Sequence, residues 1–222
     1  MIKHFTKSFL GILFFFVLMF IAAGKINYFE GWIYFAISVF GLVINIATTK
    51  NKDELVNERS NPGANTQPWD KKILGLLAIL TILSYVVAGL DSGRFNWSPP
   101  FDFRITAIGI LFMIAGQIIF TVAKYQNNFF SSVARIQTER SHAVCNSGLY
   151  KFIRHPGYLG MTLSWIGFPL ILNSIYSAIP VLLAIILLIT RTSLEDKFLS
   201  NELNGYKEYM QKTKYRIIPF VW

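Results

Sequence analysis

The feature that most constrains the fold of this chain is a series of long apolar runs without a single charged residue. A helix needs about 20 residues to cross the roughly 30 Å hydrocarbon core of a bilayer. Four runs approach that length, at 8–24, 31–49, 73–90 and 105–123. The sequence therefore predicts four membrane-spanning helices in the first 124 residues.

Two shorter apolar runs follow, at 158–173 and 176–190, and they meet at Asn173, Ser174 and Ile175. This pattern is typical of a tight helical hairpin, whose arms either span or lie partly buried against the other helices. After it, apolar residues recur at helical spacing between charges, which predicts an amphipathic helix interrupted near Gly205. The expected fold is an all-α, polytopic membrane protein with about six crossings, a four-helix region at 1–124 and a second region at 125–222.

The charge distribution predicts the orientation of these helices. If the N terminus is cytoplasmic, all but three of the 21 lysines and arginines fall in cytoplasmic segments, as the positive-inside rule requires. The exceptions are Lys25 and Arg94, with Arg104 at a boundary. Both termini are therefore expected in the cytoplasm, at a bacterial plasma membrane or a eukaryotic endoplasmic reticulum. The net charge of +9 then needs no nucleic-acid partner, and no nucleic-acid-binding module is present.

The N-terminal run, the segment 50–72 and the cysteine content are interpreted in structural terms. Lys3 and Lys7 before an apolar run resemble a signal peptide, but equally apolar runs follow, so the run is interpreted as the first spanning helix. The segment 50–72 is expected to form a short amphipathic helix, then a turn at Asn61, Pro62 and Gly63, as a solvated connection. One cysteine and no Cys/His pair at ligand spacing predict neither a disulfide nor a metal site.

The densest polar cluster lies at 137–158, directly before the hairpin. Pro156 disfavours helix at the residue before it, so His155 is expected in an extended turn at the start of a helix. Free N–H groups at such a helix start suit a carboxylate or a hydroxylated ligand. The alternative is that Arg154 and His155 only anchor the helix at the lipid headgroups.

Arg191 and Glu195 form a second cluster at the end of the last apolar run. They lie four residues apart and so share one helix face. The alternative is an ordinary surface ion pair, worth under about 1 kcal/mol. Because Asp196 follows Glu195 and ionised carboxylates are costly in lipid, a polar pocket or the membrane interface is expected here.

Taken in order, these motifs resemble those of a known family. The stretch G-L-Y-K-F-I-R-H-P-G-Y-L-G is followed by the hairpin, by R-T-S-L-E-D-K-F-L, by G-Y-K-E-Y and by R-I-I-P. Together they resemble the isoprenylcysteine carboxyl methyltransferase family and, more distantly, the membrane phospholipid N-methyltransferases. The resemblance covers 137–222. The combination of motifs is specific to the family, whereas R-H-P-x-Y alone is only weak evidence for it.

The resemblance implies an S-adenosylmethionine-dependent methyltransferase that acts on a lipophilic acceptor from the bilayer, with S-adenosylhomocysteine as product. It implies a cytoplasmic donor pocket roofed by the C-terminal helices. Glu195 would hold the donor's ammonium group, Arg191 would be the catalytic residue facing the acceptor carboxylate, and Arg154 would also bind substrate. The other implied donor contacts are Gln137, His142, Ala143, Val144, Cys145, Tyr150, His155, Pro156, Gly157 and Tyr158.

The residue types fit that chemistry. Methyl transfer from a sulfonium needs chiefly alignment of acceptor and donor, and a carboxylate acceptor is already ionised near pH 7. The sequence shows no evident acid/base pair that could deprotonate an amine acceptor. It also lacks the G-x-G-x-x-G motif that is typical of a soluble dinucleotide-binding fold. Two alternatives remain open, a membrane NADPH-dependent reductase of the sterol type and a non-catalytic lipid-binding protein. The acceptor could be a prenylated protein C terminus, a prenylcysteine, a thiol or an amine-bearing lipid.

Overall fold

The computed structural model describes residues 2–49, 51–60, 62 and 65–222, with side chains from residue 6 onwards. Its regular structure is helical, apart from one isolated bridge between Ile153 and Tyr215. In chain order the helices are α1 Ile2–Ala23, α2 Phe29–Thr49, α3 Asp53–Ser60, α4 Pro68–Ala88, α5 Phe103–Gln126, α6 Pro156–Ile171, α7 Ala178–Glu202 and α8 Tyr206–Lys212. The short helix expected at 50–72 is α3, whereas Asn61 and Gly63 of the expected turn lie outside the described residues.

Five helices in the described part of the chain are long and apolar enough to cross a membrane. They are Thr6–Ala23, Phe29–Thr49, Pro68–Phe95, Phe103–Gln126 and Ala178–Glu202. The third continues past α4 through the π-helical turns Gly89–Phe95. The prediction of an all-helical, multi-pass membrane protein is thus confirmed. With 16 residues, α6 is shorter than a typical span, so the sixth crossing stays a prediction.

The second arm of the hairpin differs from the prediction. Instead of an apolar arm ending near residue 190 and a separate amphipathic helix, α7 runs unbroken for 25 residues. The polar residues of its second half find partners inside the protein, so nothing forces the helix to stop where its apolar run ends. The break comes at Gly205, whose φ of +79° favours glycine. The short helix α8 begins directly after it.

Close backbone contact between α5 and α6 sets the position of α6. Gly109 and Gly116 on α5 face Gly167 and Gly160 on α6. A Cβ added at Gly116 would lie 2.5 Å from the Gly160 carbonyl oxygen, and one at Gly167 would lie 2.5 Å from the Gly109 oxygen. Small residues allow helices in membranes to approach this closely. The start of α6, which carries the R-H-P-G-Y motif, is thereby fixed against α5.

The end of the bundle opposite the motif residues is closed by a buried carboxylate. Asp91 accepts hydrogen bonds from the Ser98 amide and hydroxyl, both at 2.7 Å, and from the Ser174 hydroxyl at 2.6 Å. These bonds join the π-helical turns after α4 to the turn between α6 and α7. Because consecutive long helices alternate in direction, α3, the 127–155 segment and the chain after α7 gather at the other end.

Candidate functional site

A cavity opens where the 127–158 segment meets α7 and α8. We call it the loop cavity. It contains about 760 Å³ of space, part of it open to solvent. The predicted site residues in its wall are His142, Ala143, Val144, Cys145, Tyr150, Arg154, His155, Gly157, Tyr158 and Glu195. Four aromatic residues outside the prediction also line it: Phe129, Phe130, Tyr206 and Tyr209.

The aromatic part of this wall is larger than predicted. Beside Tyr150 and Tyr158, it contains Phe129 and Phe130 from the loop and Tyr206 and Tyr209 from α8. Both α8 tyrosines belong to the G-Y-K-E-Y motif, but nothing in the sequence shows that α8 folds back onto the loop. Both are buried, so α8 forms a side of the cavity.

Two predicted donor contacts do not line the loop cavity. Gln137 is fully buried beneath it, where its amide nitrogen donates to the Phe129 carbonyl at 2.8 Å and its amide oxygen accepts from Arg140 at 2.5 Å. Pro156 is the first residue of α6, and it fixes the helix start rather than the wall. A direct contact of either residue with a ligand stays a prediction.

Glu195 is the acidic group of the cavity wall. The Tyr158 hydroxyl donates a hydrogen bond to its carboxylate, and the Tyr158 ring stacks on the His155 ring at a centroid distance of 5.6 Å. No lysine, arginine or histidine nitrogen of the described residues lies within 4.0 Å of this carboxylate. The cavity therefore presents a partly buried negative charge without a cationic partner.

Its neighbour Asp196 has the opposite surroundings, with 1% of its surface exposed. Arg154 donates to both of its oxygens at 2.8 Å, Arg216 donates at 2.9 Å and the Tyr206 hydroxyl at 2.9 Å. His155 lies 3.1 Å away. We call these five residues the C-terminal clamp, because they join α7, the loop before α6 and the last residues of the chain.

The clamp changes the interpretation of Arg154. Besides its two bonds to Asp196, the guanidinium donates to the carbonyl oxygens of Thr213 and Lys214 at 2.8 and 2.7 Å. Four of its five N–H groups are therefore used within the protein. The alternative of a residue that only anchors the helix at headgroups is wrong, since Arg154 is buried. Its predicted contact with substrate stays a prediction.

Arg191 does not pair with Glu195. Its guanidinium donates to both oxygens of Asp70, at 2.7 and 3.2 Å, and to the Ser132 carbonyl at 3.2 Å. It also lies over the Tyr158 ring, 5.3 Å from its centroid. The alternative of a surface Arg191–Glu195 pair is thus wrong. Asp70, which is fully buried, was missed because it lies 121 residues away in a segment interpreted as a connection.

A second cavity, which we call the helix cavity, lies among the membrane helices and contains about 1,140 Å³ of space. Apolar side chains dominate its wall, among them Ile12, Leu42, Phe120, Met161 and Trp165. Arg59 and Arg191 line it as well. Phe130, Ser131 and Tyr158 line both cavities, so these three residues form a shared wall between a polar site and an apolar one.

Ion pairs hold the loop side of this wall against α3. Arg135 donates to Glu58 at 2.9 and 2.6 Å and to Glu139 at 2.5 Å, and the hydrogen bond from Arg135 lowers the pKa of Glu58. Nearby, burial together with the positive charges of Arg135 and Arg140 lowers the pKa of His142 to about 4. His142 is therefore neutral at pH 7, and its Nδ1 accepts a hydrogen bond from the Gln137 amide at 3.3 Å.

The family model and the related proteins that match this chain point to the same family. The sequence model of the isoprenylcysteine carboxyl methyltransferase (ICMT) family matches residues 107–201, which run from α5 to the end of α7. A probable protein-S-isoprenylcysteine O-methyltransferase of Oryza sativa subsp. indica is 27% identical over 120 residues, covering 53% of this chain and 62% of that protein. The protein-S-isoprenylcysteine O-methyltransferase of Saccharomyces cerevisiae is 31% identical over 124 residues, covering 52% of this chain and 49% of that protein.

The matched region coincides with the part of the structure that builds both cavities' shared wall and the clamp's acidic residue. The chain spans about half to three fifths of the length of these curated relatives. The family match and these relatives together confirm that the chain resembles the isoprenylcysteine carboxyl methyltransferase family, as its motifs predict.

Proposed function

We propose that this protein is an S-adenosylmethionine-dependent methyltransferase that esterifies the carboxylate of a lipophilic, isoprenylcysteine-like acceptor. The observation that carries the proposal is the pair of cavities divided by Phe130, Ser131 and Tyr158. One cavity lies between the loop and helices α7 and α8 and has polar and aromatic groups in its wall, whereas the wall of the other is mostly apolar and lies among membrane helices. A water-soluble donor and a lipid-borne acceptor require such an arrangement on the two sides of one wall.

The loop cavity fits the donor. Glu195 offers a carboxylate that has no cationic partner in the described part of the chain, which suits the ammonium group of a methionine moiety. The aromatic wall, with Tyr150, Tyr206 and Tyr209, suits a planar base. When bound, S-adenosylmethionine supplies a sulfonium methyl group that a carboxylate oxygen accepts as the carbon–sulfur bond breaks, leaving a methyl ester and neutral S-adenosylhomocysteine.

The helix cavity fits the acceptor. Its apolar side chains suit a prenyl chain, and its arginines lie at the end next to the shared wall. A carboxylate is ionised near pH 7, so the protein has no proton to remove before the transfer. Its task is to hold the reacting atoms in line and close together, which accounts for a large part of the rate in such reactions. The family resemblance implies a catalytic role for Arg191, which Asp70 holds against the Tyr158 ring.

The same proposal includes the cytoplasmic orientation of both termini and of the loop cavity, which the distribution of lysines and arginines supports. The names of the relatives favour a methyltransferase over the NADPH-dependent reductase and over a non-catalytic lipid-binding protein. Neither alternative has an observation of its own in the two cavities.

Titration calorimetry with S-adenosylhomocysteine in detergent tests the donor site. Glu195→Gln keeps an acceptor for the Tyr158 hydroxyl but removes the charge, and a charge-assisted hydrogen bond is worth about 1.5–3 kcal/mol. We therefore expect binding about 10–100-fold weaker. Glu202→Gln, at an exposed site on the same helix, is the matched control and should bind as the wild type does. Absence of binding by folded wild type at millimolar ligand would contradict the proposal.

Transfer itself is measured with methyl-labelled donor and N-acetyl-S-farnesylcysteine in membranes or nanodiscs. The expected product is a methyl ester, which releases labelled methanol in base. A farnesyl thiol and a farnesylated amine, offered in parallel, should gain little label. Labelling of either in preference to the acid would overturn the carboxylate part of the proposal while leaving the donor part intact.

A further inference from the structure

Arg59, on α3, lies outside the region that matches the family and was interpreted from the sequence as part of a solvated connection. The structure instead directs it into the helix cavity. Its guanidinium lies over the faces of Phe120 and Phe130, 5.7 and 5.2 Å from the ring centroids. Because Phe130 belongs to the shared wall, the positive charge of Arg59 lies directly beside the loop cavity as well.

The partners of Arg59 do not neutralise it. Its Nη1 donates to the carbonyl oxygens of Phe130 and Ser131, at 3.5 and 3.3 Å. Among the described residues, no carboxylate oxygen lies within 4.0 Å of the guanidinium. The neighbouring Glu58 is already paired with Arg135. Arg59 therefore brings a positive charge to the cavity, and its hydrogen-bond acceptors among the residues that the structure describes are neutral.

Arg191, the other arginine of the cavity wall, differs in this respect. It donates to both oxygens of the buried Asp70, so the pair has no net charge. Lys124 is buried at the same end of the bundle, bonded to Asn45 and Thr49, but it does not line the helix cavity. The net charge that an anion would meet in this cavity is therefore that of Arg59.

Burial makes this arrangement costly in the absence of an anion. Burial, with a smaller contribution from Arg191 and against the opposing effect of Tyr158, lowers the pKa of Arg59 to about 10. The group is still charged at pH 7, and a desolvated charge without a counter-ion is unfavourable. A carboxylate in the cavity would remove that cost and gain two parallel N–H···O bonds from a planar guanidinium.

We propose that Arg59 binds the carboxylate of the acceptor in the helix cavity, and that Arg191, neutralised by Asp70, positions the shared wall. This rests on the proposed function, and it assigns selectivity for anionic acceptors to a residue of the N-terminal region. A carboxylate at Arg59 lies against Phe130, beside the wall through which the two cavities meet.

The test compares N-acetyl-S-farnesylcysteine with its carboxamide, as ligands and, for the acid, as substrate. We expect the wild type to bind the acid at least 10-fold more tightly than the amide. Arg59→Gln should reduce that ratio to near one and raise KM for the acid at least 10-fold, with S-adenosylhomocysteine affinity within about twofold of wild type. Arg59→Lys, which keeps the charge but not the planar fork, should have an intermediate ratio.

Lys71→Gln is the matched control, since it removes an exposed positive charge from the same end of the bundle, and it should leave the ratio unchanged. An unchanged ratio in Arg59→Gln would overturn the assignment, as would a wild type that does not distinguish acid from amide. If Arg59→Gln does not fold, the acid-to-amide binding ratios of the wild type and of Arg59→Lys still test the assignment of Arg59. Failure of the proposed function differs from these outcomes, because it appears as no methyl transfer whatever the binding ratio is.

Discussion

Two neighbouring carboxylates on α7 belong to different regions of the molecule and have opposite surroundings. Asp196 lies in the C-terminal clamp, where two arginines, a tyrosine and a histidine contact it. Glu195 lies in the wall of the loop cavity, where a tyrosine hydroxyl is its hydrogen-bond donor among the described residues. Consecutive positions on a helix point about 100° apart, and this rotation is enough to separate the two environments.

The difference indicates which charges hold the fold and which await a ligand. A buried charge that is fully paired cannot exchange its partners without great cost, so the clamp is structural. A charge whose partners are neutral can accept a counter-ion, and Glu195 and Arg59 are of this kind on the two sides of the shared wall. Arg191 belongs with the clamp by this criterion, because Asp70 neutralises it.

The sharpest way to break the comparison is to remove one carboxylate at a time. Asp196→Asn leaves Arg154 buried without a counter-ion, and removing one partner of a buried pair costs about 3–5 kcal/mol. We expect the free energy of unfolding to fall by about that amount, seen as a large decrease in the thermal midpoint of the purified protein. Glu195→Gln removes the same charge one residue earlier and should leave the midpoint nearly unchanged. Equal effects of the two variants would refute the division.

A double-mutant cycle on Asp70 and Arg191 gives the next largest expected effect. Arg191→Gln leaves Asp70 as a buried charge without a counter-ion. Asp70→Asn leaves Arg191 in the same situation. We expect each to lower the free energy of unfolding by more than about 2 kcal/mol, and the double variant to recover at least half of the loss. Measured by thermal unfolding, strictly additive losses would show that the two residues do not act as a pair.

Activity separates two roles for Arg191 in the same cycle. If it only supports the shared wall, methyl transfer should return together with stability in the double variant. If its guanidinium acts in the transfer, as predicted from the family resemblance, the double variant should be stable and inactive. Donor binding, measured with S-adenosylhomocysteine, is the control that the loop cavity is intact.

The sequence was informative where the signal is local. Uncharged runs predict the spans because hydrocarbon excludes charge over a fixed length, and Gly205 predicts the break before α8 because it tolerates a positive φ. Partners across the fold were not predictable. Asp70 and Arg191 are 121 residues apart, and no local pattern shows that Arg59 faces inward. The i, i+4 rule favoured a pair of Arg191 with Glu195, but a more buried carboxylate was available.

The smallest expected effect concerns pH and the loop that builds the cavity. Burial lowers the pKa of His142 in the folded protein to about 4, against about 6.5 in an unfolded chain. Above pH 6.5 both states are neutral and the group's contribution to stability is complete. As pH falls from 6.5 towards 4, the unfolded state takes up a proton that the folded state does not, so stability decreases. His142 is partly exposed, so we expect at most about 1 kcal/mol after solvent screening.

Thermal unfolding of wild type and His142→Asn at pH 7 and pH 5 measures this contribution. Asparagine keeps a side-chain acceptor near the Gln137 amide, which donates to the His142 Nδ1, but it does not titrate. The wild type should therefore lose more stability between the two pH values than the variant, since acidic and basic groups elsewhere affect both equally. Parallel losses would show that His142 titrates normally, and the loop would then be more open to water than the clamp beside it.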